Sequence, residues 1–574
     1  MDMRRWSSLV SSLLLVVVLG ACAPSPRPTV SGEEAAAAPA APAAPKRITI
    51  GVQTDFPALA TRLVRSGAAS RPGVAEVEQL VHMGLTQGDQ AGNLQPVLVE
   101  AVPTTANGLW KVFPDGRMET TWRLRDGVVW QDGNPLTSAD LVFTAMVGQD
   151  PELPLMRNST LALVERVYAA DPRTFVVEWK QPYIEADTLF MANGNVQHLP
   201  LPKHLLEPTY QENKSAFETL TYWSTEFVGA GPYRVQQWTP GTPLILQANE
   251  RYVLGRPKID TIEVRPYPDP NVLQAAMLAE AVDLPLGTSR STSFDLAQDL
   301  QARWSGTVSF SPGNVLAFWP QLLSPTPSAL ADPRFRRALL HATNRQEMVN
   351  GFYAGNTIVA DTFISPQDTE YPDVKGSAVR YEYDPRQAAS LLETLGYRKG
   401  ADGAFRDAAG TALEITIHSG PTDLLAKTKL AAASQWSQLG VNTTPINDTD
   451  AQRADVRYRS SMTGFDTARV GTLTPYRNFR SSEARTPENG FVGLNTSGYM
   501  NSDLDGLIDR YFVTIPRPER IQVAAQMVQH LSEQVVPMVM FYDVTATPIG
   551  RRLRNVATEG NQPWNAYLWD TTGG

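Results

Sequence analysis

Cysteine is almost missing from this chain: Cys22 is the single one in 574 residues. Intramolecular disulfides, zinc ribbons, CxxC redox pairs and cysteine-ligated iron–sulfur clusters are thereby excluded. Histidine is also scarce, and its six residues (82, 198, 204, 341, 418 and 530) are dispersed. Each reads as structural or exposed, because no pair has the spacing of a metal-binding helix face. A basic excess is lacking as well, since 50 Lys and Arg stand against 59 Asp and Glu. That balance excludes a nucleic-acid partner held by clustered cations and offers no polybasic patch to anionic lipid. No GxSxG elbow, Walker A sequence, GxGxxG fingerprint, HExxH helix or 20–50-residue repeat is present. Non-local carboxylate pairs are invisible at this level, so an extracytoplasmic hydrolase stays open as an alternative.

What is present is an ordinary globular composition, 42% hydrophobic and 19% charged. The length suggests about three or four domain-sized units at roughly 150 residues each. The N-terminus carries Arg4 and Arg5, then an uncharged stretch with its apolar core at Leu13–Leu19. This run is too short for a permanent transmembrane helix and reads as a signal peptide over residues 1–21. Its end, Leu19-Gly20-Ala21-Cys22, resembles a bacterial lipobox, which makes Cys22 the lipidation site and the first mature residue. Loss of residues 1–21 removes Arg4, Arg5 and Asp2 and leaves 48 basic against 58 acidic residues. Residues 22–46 hold the anchor and a Pro/Ala-rich segment without bulky side chains, expected to be an extended tether.

The folded body begins with the alternating strand Arg47–Val52. Asx-Gly turns at Asp132-Gly133 and elsewhere predict antiparallel structure between about 76 and 220, with Thr137 or Ser138 capping a helix. Strands are expected at 231–238, 243–247 and 261–265, and helices behind the Asp-Pro pairs 269–270, 332–333 and 384–385. Leu413–His418, a helix carrying Leu425, Ala432, Trp436 and Leu439 up to Gly440, and a strand from Val441 predict a strand–helix–strand unit. A helix over 518–534 and a buried strand over 535–541 close the chain.

Several of these blocks resemble the extracellular solute-binding proteins of peptide and nickel ABC importers, family 5. The most specific is 121–143, TWRLRDGVVWQDGNPLTSADLVF, similar to the family's "f.LR.gv.w.DG.plta.Dvvf". Gly84-Leu85-Thr86 with 93–98, Gly229–Arg234, Asn249–Tyr252 before Lys258-Ile259-Asp260, Asp332–Leu339 and Asp384–Ala388 match in order. The resemblance implies an α/β fold of the periplasmic-binding-protein type II class (cluster C). Two α/β lobes with a hinge carry an extra inserted β-rich domain. The implied boundaries are 47–75, 221–280 and 506–574 for lobe I, 76–220 for the insert and 281–505 for lobe II. It also implies no enzyme, no cofactor and no metal. The expected partners are a small-molecule or peptide-like solute, an ABC permease complex, and the membrane through the lipid anchor. The expected state is a monomer at the extracytoplasmic face. A sensory solute binder reporting to a receptor is the second reading within the fold.

In peptide-binding relatives an acidic residue in a segment like "W..DypDP" receives the peptide's α-amino group. The register set by Gly464-Phe465-Asp466 puts residues 468–478 there, and they lack both the Trp and the acidic pair. Arg469 and Arg477 bring positive charge instead, so an anionic or polyhydroxyl face is expected on the ligand, read by an arginine and aromatic rings. Further ligand-facing candidates are Tyr476, Asp55 and Phe56 behind the first strand, and Trp319 with Gln321.

Overall fold

The computed structural model describes residues 44–572 apart from 67–68, 71–72, 193–197, 288–292 and 471–474. The signal segment, Cys22 and nearly all of the tether lie outside the described residues.

Strand β1 (Arg47–Val52) buries Ile48, Ile50 and Val52 completely, as its alternation requires. After helix α1 (Val74–Val81) come β2 (Trp110–Val112), β3 (Met118–Arg123), helix α2 (Ser138–Gln149), β4 (Val164–Asp171) and β5 (Thr174–Trp179). These four strands form an antiparallel sheet in the order β2-β3-β5-β4. Thr137 caps α2 in a reciprocal box with Asp140, which satisfies two otherwise orphaned N–H groups. The chain then adds β6 (Tyr233–Gln237), β7 (Leu244–Ala248), β8 (Thr261–Pro266) and β9 (Leu284–Leu286) to β1. The resulting sheet has the order β6-β7-β8-β1-β9, with β1 parallel to both neighbours. A strand paired in parallel on both sides is covered on both faces, and in β1 Arg47 alone is exposed.

A second five-stranded sheet follows. It is built from β10 (Thr307–Pro320), β11 (Glu414–Ser419), β12 (Asn442–Asn447), β13 (Phe465–Val470) and β14 (Met538–Ile549), in the order β12-β11-β13-β10-β14. Helix α3 (Pro333–His341) begins where expected: Pro333 occupies the first turn and the Asp332 carboxylate accepts the Arg334 N–H at 2.8 Å. Asp384 does the same for Arg386 and Gln387. Helix α4 (Asp423–Leu439) joins β11 to the parallel β12 and stops at Gly440, whose φ of 111° is open to glycine. Trp436 on α4 is fully buried against Phe318 and Phe465. Its indole N–H donates to Thr343 Oγ1 at 2.8 Å and to the Leu339 carbonyl at 3.1 Å.

The two sheets are joined by a ribbon. β10 and β14 pair antiparallel from Thr307–Ile549 to Phe318–Met538, with a bulge at Gly313 and Asn314. At its foot the Gly550 N–H donates to the Asp283 carbonyl at 2.8 Å. The Asp283 carboxylate accepts the Thr49 N–H at 2.8 Å and the Arg552 guanidinium at 2.5 and 2.6 Å. A side chain at Gly550 would meet the Asp283 carbonyl oxygen at 2.7 Å, so only glycine lets the ribbon approach β9 this closely. Pairing shifts two expected boundaries. β9 lies beyond residue 280 yet completes the first sheet, and β14 lies within 506–574 yet forms the edge of the second. The reason is that one edge strand of the second sheet comes from the far end of the chain, a pairing that local pattern does not encode.

Replacing Trp436 with Ala removes this ring and leaves a cavity, with an expected loss of about 3–5 kcal/mol. Urea unfolding of the variant measures it, and a loss under about 1 kcal/mol would refute the packing described.

Candidate ligand site

Open α/β sheets present ligand-facing loops at the C-terminal ends of their parallel strands. In the second sheet a buried polar network lies at the C-terminal ends of β11 and β12, beside the start of β13. His418 on β11 and Asp466 on β13 are register partners, and Trp319 on β10 is the register partner of Asp466 from the other side. Directly opposed residues share a face of the sheet, so these three side chains lie together. Arg453, in the short helix Asp450–Ala454, donates to both oxygens of Asp466 at 2.6 and 3.1 Å and to Asp448 at 3.3 Å. Asp448 also lies 3.0 Å from His418 Nδ1 and accepts the Tyr458 hydroxyl at 2.8 Å. Burial works against the charge of Arg453, yet its bonds to Asp466 and Asp448 hold the guanidinium above its ordinary range. Burial likewise opposes Asp448, but the bonds from His418 and Tyr458 keep its carboxyl below the usual value.

His418 and Asp448 make two thirds of a hydrolytic triad. Ser419, next along the strand, points to the opposite face, where its hydroxyl cannot reach the imidazole. The other histidines are engaged structurally. His82 contacts the Pro200 carbonyl at 2.7 Å and is pulled down to about 4 by burial, and His198 is pulled to about 3 in the same way. Among the described residues no group of three His, Cys, Asp or Glu is placed to hold a metal ion.

The expected site residues separate into two sets. Trp319 and Gln321 share the network's face. Trp319 is stacked on Phe479 with centroids 5.8 Å apart, and Gln321 is buried with its Nε2 on the Thr496 carbonyl at 3.2 Å and its Oε1 unpartnered. Asp55 is exposed behind β1, while Phe56 is buried against Trp238 in the core of the first sheet. Tyr476 is 2% exposed and donates to Glu370 at 3.4 Å beside Tyr511. Arg477 donates to the Tyr183 hydroxyl at 2.8 Å and to Glu185 at 2.9 Å, and its guanidinium lies 4.5 Å from the Phe512 ring centre. Arg469 donates to the buried Asp543, which sits opposite the ribbon's bulge. The expected anion-reading arginines, 469 and 477, thus both have carboxylate partners within the chain. Arg453, Asp448 and Tyr458 escaped sequence reasoning, and their one visible signal was the Thr449 capping box with Gln452.

Residues 100–482, two thirds of the chain, match the sequence profile of the bacterial extracellular solute-binding proteins, family 5. The chain belongs to that family. Family 5 proteins are solute-binding proteins and not enzymes, which removes the hydrolase alternative. The oligopeptide-binding protein AppA of Bacillus subtilis is 24% identical over 422 residues, covering 73% of this chain and 71% of that protein. A periplasmic oligopeptide-binding protein of an oligopeptide ABC transporter from Thermotoga maritima superposes with a TM-score of 0.74 at 18% identity, over 92% of this chain and 99% of that one. NikZ from Campylobacter jejuni, solved with Ni(L-His), gives 0.69 at 20% identity over the same shares. These likenesses establish the type II periplasmic-binding fold, with its two α/β lobes, for this family member. No helix among the described residues is long and apolar enough to cross a membrane.

Burial pushes the Asp543 carboxyl up, against the opposing pull of Arg469 and the Asn314 N–H. Arg469→Gln is therefore expected to cost about 2–3 kcal/mol at neutral pH, less than a fully buried pair because Arg469 is partly exposed. A carboxyl with a raised folded-state pKa favours folding below its unfolded value and loses that contribution as pH rises. The penalty should accordingly shrink toward pH 4, and adding Asp543→Asn should recover most of it. Denaturant midpoints across pH check this, and a pH-independent penalty contradicts the pairing.

Proposed function

We propose that this protein is the substrate-binding subunit of an ABC importer, capturing a peptide-like or related medium-sized solute and delivering it to a membrane permease. The observation that carries the reading is the family 5 match over residues 100–482, on two sheet-based lobes joined by a long ribbon. The oligopeptide-binding relative and the neighbour solved with Ni(L-His) support a proposed cargo range of peptides and small chelates. The β10–β14 ribbon is the proposed hinge, with the lobes closing on solute and the Asp283–Arg552 knot holding its foot. Closure follows from the difference in solute affinity between closed and open states. Of the ligand-facing candidates, Trp319 and Gln321 are proposed to line the second lobe's side of the pocket. Phe56, Tyr476 and Arg477 are proposed to support it through packing.

Cys22 is the proposed lipid attachment point, and residues 22–46 the tether that keeps a monomeric binder near its permease on the extracytoplasmic face. The lipid is needed because the 48 basic against 58 acidic residues from Cys22 onward offer no electrostatic hold on anionic membranes.

Native mass spectrometry of protein purified under mild conditions tests the capture function. A co-purifying solute that leaves on collisional activation is expected, and a chain that retains none and binds no member of a peptide and metal-chelate library would overturn it. Cys22→Ala should move the protein from the membrane to the soluble fraction, and continued membrane residence refutes the anchor.

A further inference from the structure

Two guanidinium groups beside the polar network have no acidic partner. Helix α5 (Val456–Ser461) starts at Asp455, whose carboxylate accepts the Arg457 and Tyr458 N–H groups, and leads into β13. Arg459 on this helix is half-buried, and its Nε makes no hydrogen bond. Arg485 lies in the segment 484–495, also half-buried, with its Nε spent on the Gly493 carbonyl at 2.8 Å. That segment is held in place by the Ala484–Asn495 bridge, by Asn495 bonded to the Arg480 and Tyr499 carbonyls, and by the Arg457 guanidinium over the Phe491 ring.

The nearby acids are already used. Both oxygens of Asp466 are taken by Arg453, and Asp448 is taken by His418, Tyr458 and Arg453. Among the described residues Arg459 and Arg485 form no ion pair, and with Arg453 they make three guanidiniums against the two carboxylates of Asp448 and Asp466. Burial pulls both guanidiniums below their ordinary range; the charge of Asp466 works against this at Arg459, and the charge of Arg459 adds to it at Arg485. Arg453 packs against Gly420, immediately after β11, which sets the cluster at the C-terminal end of that strand. Partly buried charge without a counter-charge is expensive, and a planar donor fork is matched by an oxyanion.

We propose that Arg459 and Arg485 form a receptor for an oxyanion group carrying two negative charges on the imported solute. A phosphoryl group and a geminal pair of carboxylates share that chemistry. The proposal rests on the solute-binding reading and makes it selective: the anion is read by these two arginines rather than by Arg469 and Arg477, whose charges are neutralised internally.

Calorimetric titration of the full-length chain with three tripeptides tests it. The probes are alanyl-phosphoseryl-alanine, alanyl-γ-carboxyglutamyl-alanine and trialanine. At least one dianionic peptide should bind about tenfold or more tightly than trialanine, and which one does so separates phosphoryl from dicarboxylate recognition. Arg459→Gln and Arg485→Gln should each abolish that preference, whereas Arg398→Gln, at an exposed position, should keep it. The unliganded melting temperature of Arg459→Gln should stay level or rise, because an unpaired charge has been removed. A fall would show that Arg459 supports the fold and would overturn the proposal. Equal binding of all three peptides, or variants that keep the dianion preference, would overturn it while leaving the solute-binding function intact. Failure of all three to bind, together with no co-purifying solute, would remove both.

Discussion

The pairing of β10 with β14 is the constraint on which the rest of the structure depends. An antiparallel ladder from Thr307–Ile549 to Phe318–Met538, interrupted by register shifts, ties the first sheet to the second. Its foot must pass close beside β9, and this is possible because residue 550 is glycine and because Asp283 gathers Thr49 and Arg552 into one knot. Its middle carries a bulge, and bulges bend and twist a ribbon locally. Asp543 lies opposite that bulge and is neutralised by Arg469 from β13. The bulged part of the ribbon is therefore cross-braced by a charge pair.

Elsewhere the same economy governs the buried charges. Glu370 serves the Tyr476 and Tyr511 hydroxyls, and Glu185 takes Arg477. Asp466 and Asp448 share Arg453. A buried charge left alone costs several kcal/mol, and these acids each come with a donor. Arg336 and Lys429 are buried cations met by carbonyl and amide oxygens instead, whereas Arg459 has an Nε with no hydrogen bond, and the solute is its proposed partner.

Much of the local structure was legible in the sequence. The Asp-Pro pairs at 332 and 384 start helices because the carboxylate caps the first free N–H groups and proline needs none. The spacing of Leu425, Ala432, Trp436 and Leu439 up to Gly440 marks a buried helix face and its end, and α4 follows it. The family itself was readable from 121–143 together with the shorter blocks. The site was less legible. Arg469 and Arg477 read as free cations, because their partners lie 74 and 292 residues away in sequence. The Arg453 network was missed for the same reason: its groups come from β11, the end of β12, two short helices and β13.

By itself the sequence determined many of the elements and the family, because caps, periodicity and motif spacing act within a few residues of one another. The tertiary structure alone decided which strand closes the second sheet, and which arginines are satisfied within the chain and which are not. Those outcomes depend on cross-strand register and on desolvation of groups brought together from distant segments, and neither has a local signature.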